Sequence, residues 1–254
     1  RQYISEENFL ALPAIRTVGF PDVKVIGGDE LIDLLSQSYD EVGMDETMVI
    51  CRSNKRANIY NNGIRNRILF REEELEPGDM LMVAKNNYFW TEQGKETDFI
   101  ANGDIAVVRR FRRERELYGF RFADVLLRFP DYNDLELEVK LLLDTLHTDT
   151  PALPKEMGDR LYQSVMEDYA DITIKRERMK KMKADPQYNA LQVKYAYAVT
   201  CHKAQGGQWK RVFLDQGYMT EEMLSPDYFR WLYTAFTRAT ETLYLVNWPK
   251  EQTE

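Results

Sequence analysis

Tyr195-Ala-Tyr-Ala-Val-Thr-Cys-His-Lys-Ala-Gln-Gly-Gly-Gln-Trp209 is the stretch that decides the fold. Small and aromatic residues spaced for a strand run to Val199, then give way to a polar turn and two glycines. Such a strand-to-turn junction brings backbone amides and short side chains to the carboxyl end of a sheet. Ligands gather there in α/β folds. Thr200 and His202 can donate hydrogen bonds to phosphate oxygens, and Lys203 adds charge. A lone His-Lys pair in this place reads as a solvated turn. The whole string Ala-Tyr-Ala-x-Thr-x-His-Lys-x-Gln-Gly is more specific than that.

The flanking sequence extends the α/β pattern. Downstream, Arg211–Asp215 reads as a second strand and Leu243–Asn247 as a last one. Between them Asp227–Ala239 has helical spacing, with Ser225 or Asp227 as its cap. Near the start, Leu31 to Tyr39 is a helix and Met48-Val-Ile-Cys51 is a short buried strand. Ser53 to Leu69 forms a further helix capped by Ser53 or Asn54.

The character changes at Glu76-Pro-Gly-Asp79. Residues 80–84, 104–108, 121–127 and 135–139 read as strands, with Asn86-Asn87 and Asn102-Gly103 as turn signals. Short strands with turns predict a small antiparallel barrel. A charged stretch, Glu156 to Lys183, is mostly helical, and Asp185-Pro186 breaks it. One α/β domain, about 1–75 plus 192–254, is thus expected to carry a β-rich insertion at about 76–191.

Composition sets the limits. The chain has 254 residues with 44% hydrophobic content, enough for a real core. No apolar run approaches the roughly 20 residues that span a bilayer. Cys51 and Cys201 belong to no metal-spaced cluster, as in a reduced cytoplasmic protein. Net charge is −8 and pI about 5.1, against nucleic-acid binding through global charge but not through a local basic track. No Gly-x-x-x-x-Gly-Lys-Ser/Thr phosphate loop occurs, and the first residue is Arg1. A piece of a longer product is the expectation.

A second anchor is Tyr233-Thr-Ala-Phe-Thr-Arg-Ala239. Arg238 falls inside the predicted helix, where a buried guanidinium needs a partner. It either pairs with a carboxylate such as Glu241 or stabilises charge on a transferred phosphoryl group. The two anchors resemble motifs V and VI of superfamily 1 helicases, in the RecD-like and Dda-like branch related to exodeoxyribonuclease V alpha subunits. That resemblance implies a RecA-like second motor domain, of the P-loop NTPase type without its own phosphate loop. Thr200 and His202 would touch the DNA backbone, with Lys203 beside them. Gly206, Gly207 and Gln208 would lie at ATP, Gln208 standing where the family often has Glu. Arg238 would be the arginine finger.

Val49-Ile-Cys-Arg-Ser-Asn54 resembles motif IV, which implies that Arg52 reaches the same phosphate. Taken alone, Arg52 reads equally as an incidental cation at a helix start. Related helicases carry Tyr where this chain has Cys51. Gly78–Asn87 and Phe99–Ala106 resemble the family's SH3-like barrel insertion, which implies that Lys85, Asn86, Asn87 and Tyr88 face single-stranded DNA. Those asparagines can equally serve turn geometry. The basic clusters Arg109–Arg115, ending a strand, and Lys175–Lys183, ending a helix, read as solvated surface.

The implied function is the C-terminal half of an ATP-dependent DNA helicase or translocase, 5′ to 3′. ATP and Mg²⁺ would be held mainly by an N-terminal motor domain of the same parent chain. A non-catalytic nucleic-acid-binding or docking module is the alternative.

Overall fold

The computed structural model describes residues 12–93 and 97–253. The first part runs β1 (Val23–Ile26), α1 (Leu31–Val42), β2 (Thr47–Cys51) and α2 (Asn54–Arg67). It continues with β3 (Met80–Val83), β4 (Ile105–Leu117), β5 (Phe120–Phe129) and β6 (Leu135–Leu142). Then come α3 (Lys155–Asp168), α4 (Lys175–Lys183), β7 (Leu191–Tyr195) and β8 (Ala198–Thr200). The chain ends with β9 (Trp209–Asp215), α5 (Pro226–Phe236) and β10 (Ala239–Val246). It divides into two compact units: the chain up to Phe70 with that from Tyr197 on, and Arg71–Ala196.

The first unit is a five-stranded sheet ordered β1-β10-β9-β2-β8, with every neighbouring pair parallel. β2 is buried throughout, as expected of a strand covered on both faces. Ser53 caps α2 by accepting from the Arg56 N–H, and Ser225 caps α5 by accepting from that of Tyr228. The edge strand β8 is held by a side chain. The buried Asn61 amide of α2 accepts from the Tyr197 and Ala198 N–H groups and donates to the Ala198 carbonyl. It thereby satisfies backbone groups that a neighbouring strand would otherwise pair.

Sequence reading missed β1, Val-Lys-Val-Ile, which is short and mostly solvent-facing. The expected single strand over 194–199 is two strands. β7 pairs with β3 in the second unit, and β8 pairs with β2 in the first.

The second unit is a closed barrel, β3-β4-β5-β6-β7. It is not wholly antiparallel, because β6 and β7 pair in parallel through Leu141–Leu191. A parallel pair needs a crossover connection, and here the segment carrying α3 and α4 provides it. These helices close on the barrel around Phe120, Phe122, Leu142, Leu161, Val165 and Met182.

β4 absorbs the Arg109–Arg115 cluster that was expected only to end a strand. Arg109 and Arg112 of this cluster pair with Glu136 and Glu138 of β6. Asn86-Asn87 does not form a tight turn between the paired strands β3 and β4. It lies in a long excursion from β3 to β4, tied by a bridge from Asn87 to Ile100. The tight hairpin turn is Tyr118-Gly119, with both φ values positive (59° and 72°). No helix among the described residues is long and apolar enough to cross a membrane.

Candidate functional site

Because all five strands of the sheet run parallel, its two edges differ in the groups they present. At the carboxyl edge, Cys51 is in register with both Thr200 and Asp215. Arg52 therefore starts level with the ends of β8 and β9. Its guanidinium lies 5.9 Å from the ring centres of both Tyr228 and Trp231, and its Nη1 contacts the Met219 sulfur. Such stacking holds a cation in place while leaving its charge available.

Thr200 begins the turn that follows β8, where its carbonyl accepts from the Lys203 and Ala204 N–H groups. His202 projects into solvent. Lys203 is half-buried, and that burial holds its ammonium pKa below the ordinary value. Sequence reading missed the buried carboxylate beside them. Asp215, 2% exposed, accepts from Arg56 Nε at 2.6 Å, from the Tyr60 hydroxyl and from the Gly217 N–H at 2.7 Å. The signal that could have found it is a lone acid ending an apolar strand, Val-Phe-Leu-Asp.

The amino edge carries the other predicted group. Arg238 is not inside a helix, because α5 ends at Phe236 and Arg238 lies in the turn before β10. Its Nη1 donates to the Gly207 carbonyl at 2.9 Å and its Nε to the Thr234 carbonyl at 3.0 Å. Its Nη2 donates to the Thr237 hydroxyl at 2.9 Å. Carbonyls and a hydroxyl orient this guanidinium, and none of these contacts neutralises it. The Trp209 ring lies against Gly207, so a β-carbon there would stand 2.4 Å from the indole. Gly206 and Gln208 are exposed beside it.

Arg52 and Arg238, expected on one phosphate, start from opposite ends of the strands. Arg52 follows Cys51, which is level with Asp215, whereas Arg238 precedes Ala239, which is level with Trp209. The rise from Trp209 to Asp215 is about 20 Å at ~3.3 Å per residue. The two side chains serve opposite edges of the sheet. Cys51 is fully buried and offers no surface to a base.

In the barrel unit, Asn86 Oδ1 accepts from the Asn102 N–H at 2.7 Å. Asn87 Oδ1 accepts from the Phe89 N–H at 3.0 Å, while its Nδ2 donates to the Asn189 carbonyl at 2.9 Å. Both asparagines thus fold the loop. Lys85 and Tyr88 stay open to solvent, Tyr88 stacked on Phe99. Among the described residues no three His, Cys, Asp or Glu side chains gather as a metal would need.

Residues 195–246 match the family of the UvrD-like helicase C-terminal domain. Among solved structures, the chain is similar to a Pif1 helicase from Bacteroides in complex with ADP-AlF3 and single-stranded DNA, at 14% identity and a TM-score of 0.43. That match covers 89% of this chain and 47% of the other. It is also similar to the Pif1 helicase from Candida albicans, at 12% identity and a TM-score of 0.39, covering 89% and 55%. The chain thus spans about half the length of these solved proteins. No curated protein matches it.

Proposed function

We propose that this chain is the C-terminal half of an ATP-dependent DNA helicase or translocase. The observation that carries the reading is the match over 195–246. It takes in the segment from Thr200, at the carboxyl edge of the sheet, to Gln208, at the amino edge beside Arg238. In this reading the carboxyl edge is the nucleic-acid track. Thr200 and His202 donate to phosphate oxygens, and Arg52 joins them there rather than at the nucleotide.

The amino edge faces the nucleotide. Gln208 hydrogen-bonds the sugar, and Arg238, oriented by the Gly207 and Thr234 carbonyls, stabilises charge on the transferred phosphoryl group. This chain has no phosphate loop and gathers no metal ligands among the described residues. An N-terminal motor domain of the same parent chain supplies the phosphate loop, the Mg²⁺ ligands and the catalytic carboxylate. Closure on ATP and reopening after hydrolysis move the strand, 5′ to 3′ in this branch.

The test is fluorescence anisotropy of labelled oligo-dT at two salt concentrations, with His202→Ala alongside. Salt-sensitive binding weakened severalfold by the substitution is expected. Binding indifferent to His202 removes the track from the carboxyl edge. Absence of binding even at low salt overturns the nucleic-acid reading.

A further inference from the structure

The barrel unit contains a groove of about 710 Å³ that the motor reading leaves unused. That is the size of a small-ligand site. One wall is the 85–89 loop, which includes Tyr88. The other is the start of α3 with the 188–190 turn. The walls are fixed to each other. Trp90 Nε1 and Asn87 Nδ2 both donate to the Asn189 carbonyl, at 2.8 and 2.9 Å. Asn189 Nδ2 in turn donates to the Lys183 and Asp185 carbonyls.

Three tyrosine rings line this space. Tyr88 is 62% exposed, and Tyr188 packs edge-on against Tyr162 with ring centres 6.0 Å apart. Lys85 and Lys155 also line the groove, and neither has an ion pair among the described residues. Asp159 is the one carboxylate in the lining. Gln192 uses Oε1 to accept from the Leu153 N–H, and its Nε2 has no partner among the described residues.

Gly158 is the telling residue. It stands inside α3, where glycine is unfavourable relative to alanine. Yet no packing demands it, because a β-carbon built there meets no atom within 4 Å. It lines the groove, so the space a side chain would take is part of the groove itself.

We propose that this groove binds an unpaired nucleobase of single-stranded DNA. The tyrosine faces stack on the base, the Gln192 amide donates to a base carbonyl, and Lys85 and Lys155 hold the flanking phosphates. Aromatic faces beside cations are the chemistry of single-strand binding, and one carboxylate against two lysines leaves the lining cationic. The inference rests on the nucleic-acid reading above. It assigns a role to the α3 segment, which carries no helicase motif.

The test uses the full chain, its Gly158→Leu variant and labelled oligo-dT. A second labelled oligomer of equal length carries the sugar-phosphate backbone without bases. Leucine favours a helix over glycine, so the melting temperature of Gly158→Leu should equal or exceed that of the parent. Oligo-dT binding should weaken about tenfold, the scale of one lost stacked base, with the baseless oligomer unaffected. Tyr88→Ala removes a ring from the opposite wall and should show the same pattern. It decides the matter should Gly158→Leu fail to fold. If both variants bind oligo-dT as the parent does, the groove is not a base site, while the nucleic-acid reading stands. Equal weakening for the baseless oligomer also overturns it, because the effect then does not pass through a base. If the parent binds no oligo-dT at low salt, the nucleic-acid reading fails and the groove proposal with it.

Discussion

Asp215 shows how a single buried charge organises the carboxyl edge. Its carboxylate is 2% exposed and takes hydrogen bonds from Arg56, Tyr60 and a backbone N–H. Burial first, and then the bond to this carboxylate, push the Tyr60 hydroxyl pKa well above its ordinary value. The Arg56 side chain is 44% exposed, so the ion pair itself is screened, and the hydrogen bonds to a buried anion dominate. Asp215→Ala should therefore lower the unfolding free energy by about 2 kcal/mol. Urea denaturation checks this as a lower midpoint with an unchanged slope. A cost near zero would mean that Arg56 and Tyr60 find other partners freely. At this scale the sequence singles residues out where a string is long. Thr200, His202 and Arg238 belong to such strings. Asp215 gave no comparable signal, because its partners Arg56 and Tyr60 come from an element more than 150 positions away. Arg52 was seen, but its edge of the sheet was not, because that depends on strand register.

Among elements, the barrel shows what short-range patterning leaves out. Alternation found the strands, yet a parallel closing pair between β6 and β7 requires knowing that the α3–α4 segment is a crossover. The arginine run was read as solvated surface that ends a strand, and it is exposed throughout. Only the strand's end was misplaced: β4 continues through the run, beyond the three residues that β3 pairs, and charged side chains keep such an open edge from unwanted pairing. One ion pair fastens the segment before β3 to β5. Glu74 accepts from both terminal nitrogens of Arg121, at 2.7 and 2.9 Å, and contacts His147 at 3.0 Å. Burial raises the Glu74 pKa, but these partners outweigh it and hold it below the ordinary value of a glutamate. A carboxylate with a depressed folded pKa contributes stability that is complete above the unfolded value. It is lost as pH falls through the folded one. The barrel unit should accordingly lose stability below about pH 4.5, and Glu74→Gln should flatten that dependence while lowering stability at neutral pH. Thermal melts of parent and variant between pH 3 and 7 test it, and parallel curves would remove Glu74 from the acid response.

For the whole molecule, the decisive feature is that one chain builds two cores. The sheet unit buries β2, β9 and β10 around Met48, Ile50, Phe213 and Leu245, while the barrel unit buries Leu81, Phe122, Leu127 and Leu141. The two ends of the barrel unit meet: the Ala196 N–H donates to the Met80 carbonyl, and the Tyr195 hydroxyl donates to the Glu74 carbonyl. An insertion whose ends meet can be removed without stretching what remains. The sequence signs of a second unit are the change of character at Glu76-Pro-Gly-Asp79 and the return of apolar strands after Leu191; the compact unit itself runs Arg71–Ala196. The crossing point was not legible in the sequence, because Tyr195-Ala-Tyr-Ala-Val reads as one strand while the backbone changes sheet at Ala196. Replacing residues 71–196 by a short Gly/Ser linker should leave the sheet unit folded, with parallel-sheet circular dichroism and one cooperative transition. The intact chain should unfold in two transitions, since separate cores break two-state behaviour. Glu74→Gln should move only the barrel transition and Asp215→Ala only that of the sheet unit. A single transition in the intact chain, shifted alike by both substitutions, would show that the two cores fold as one.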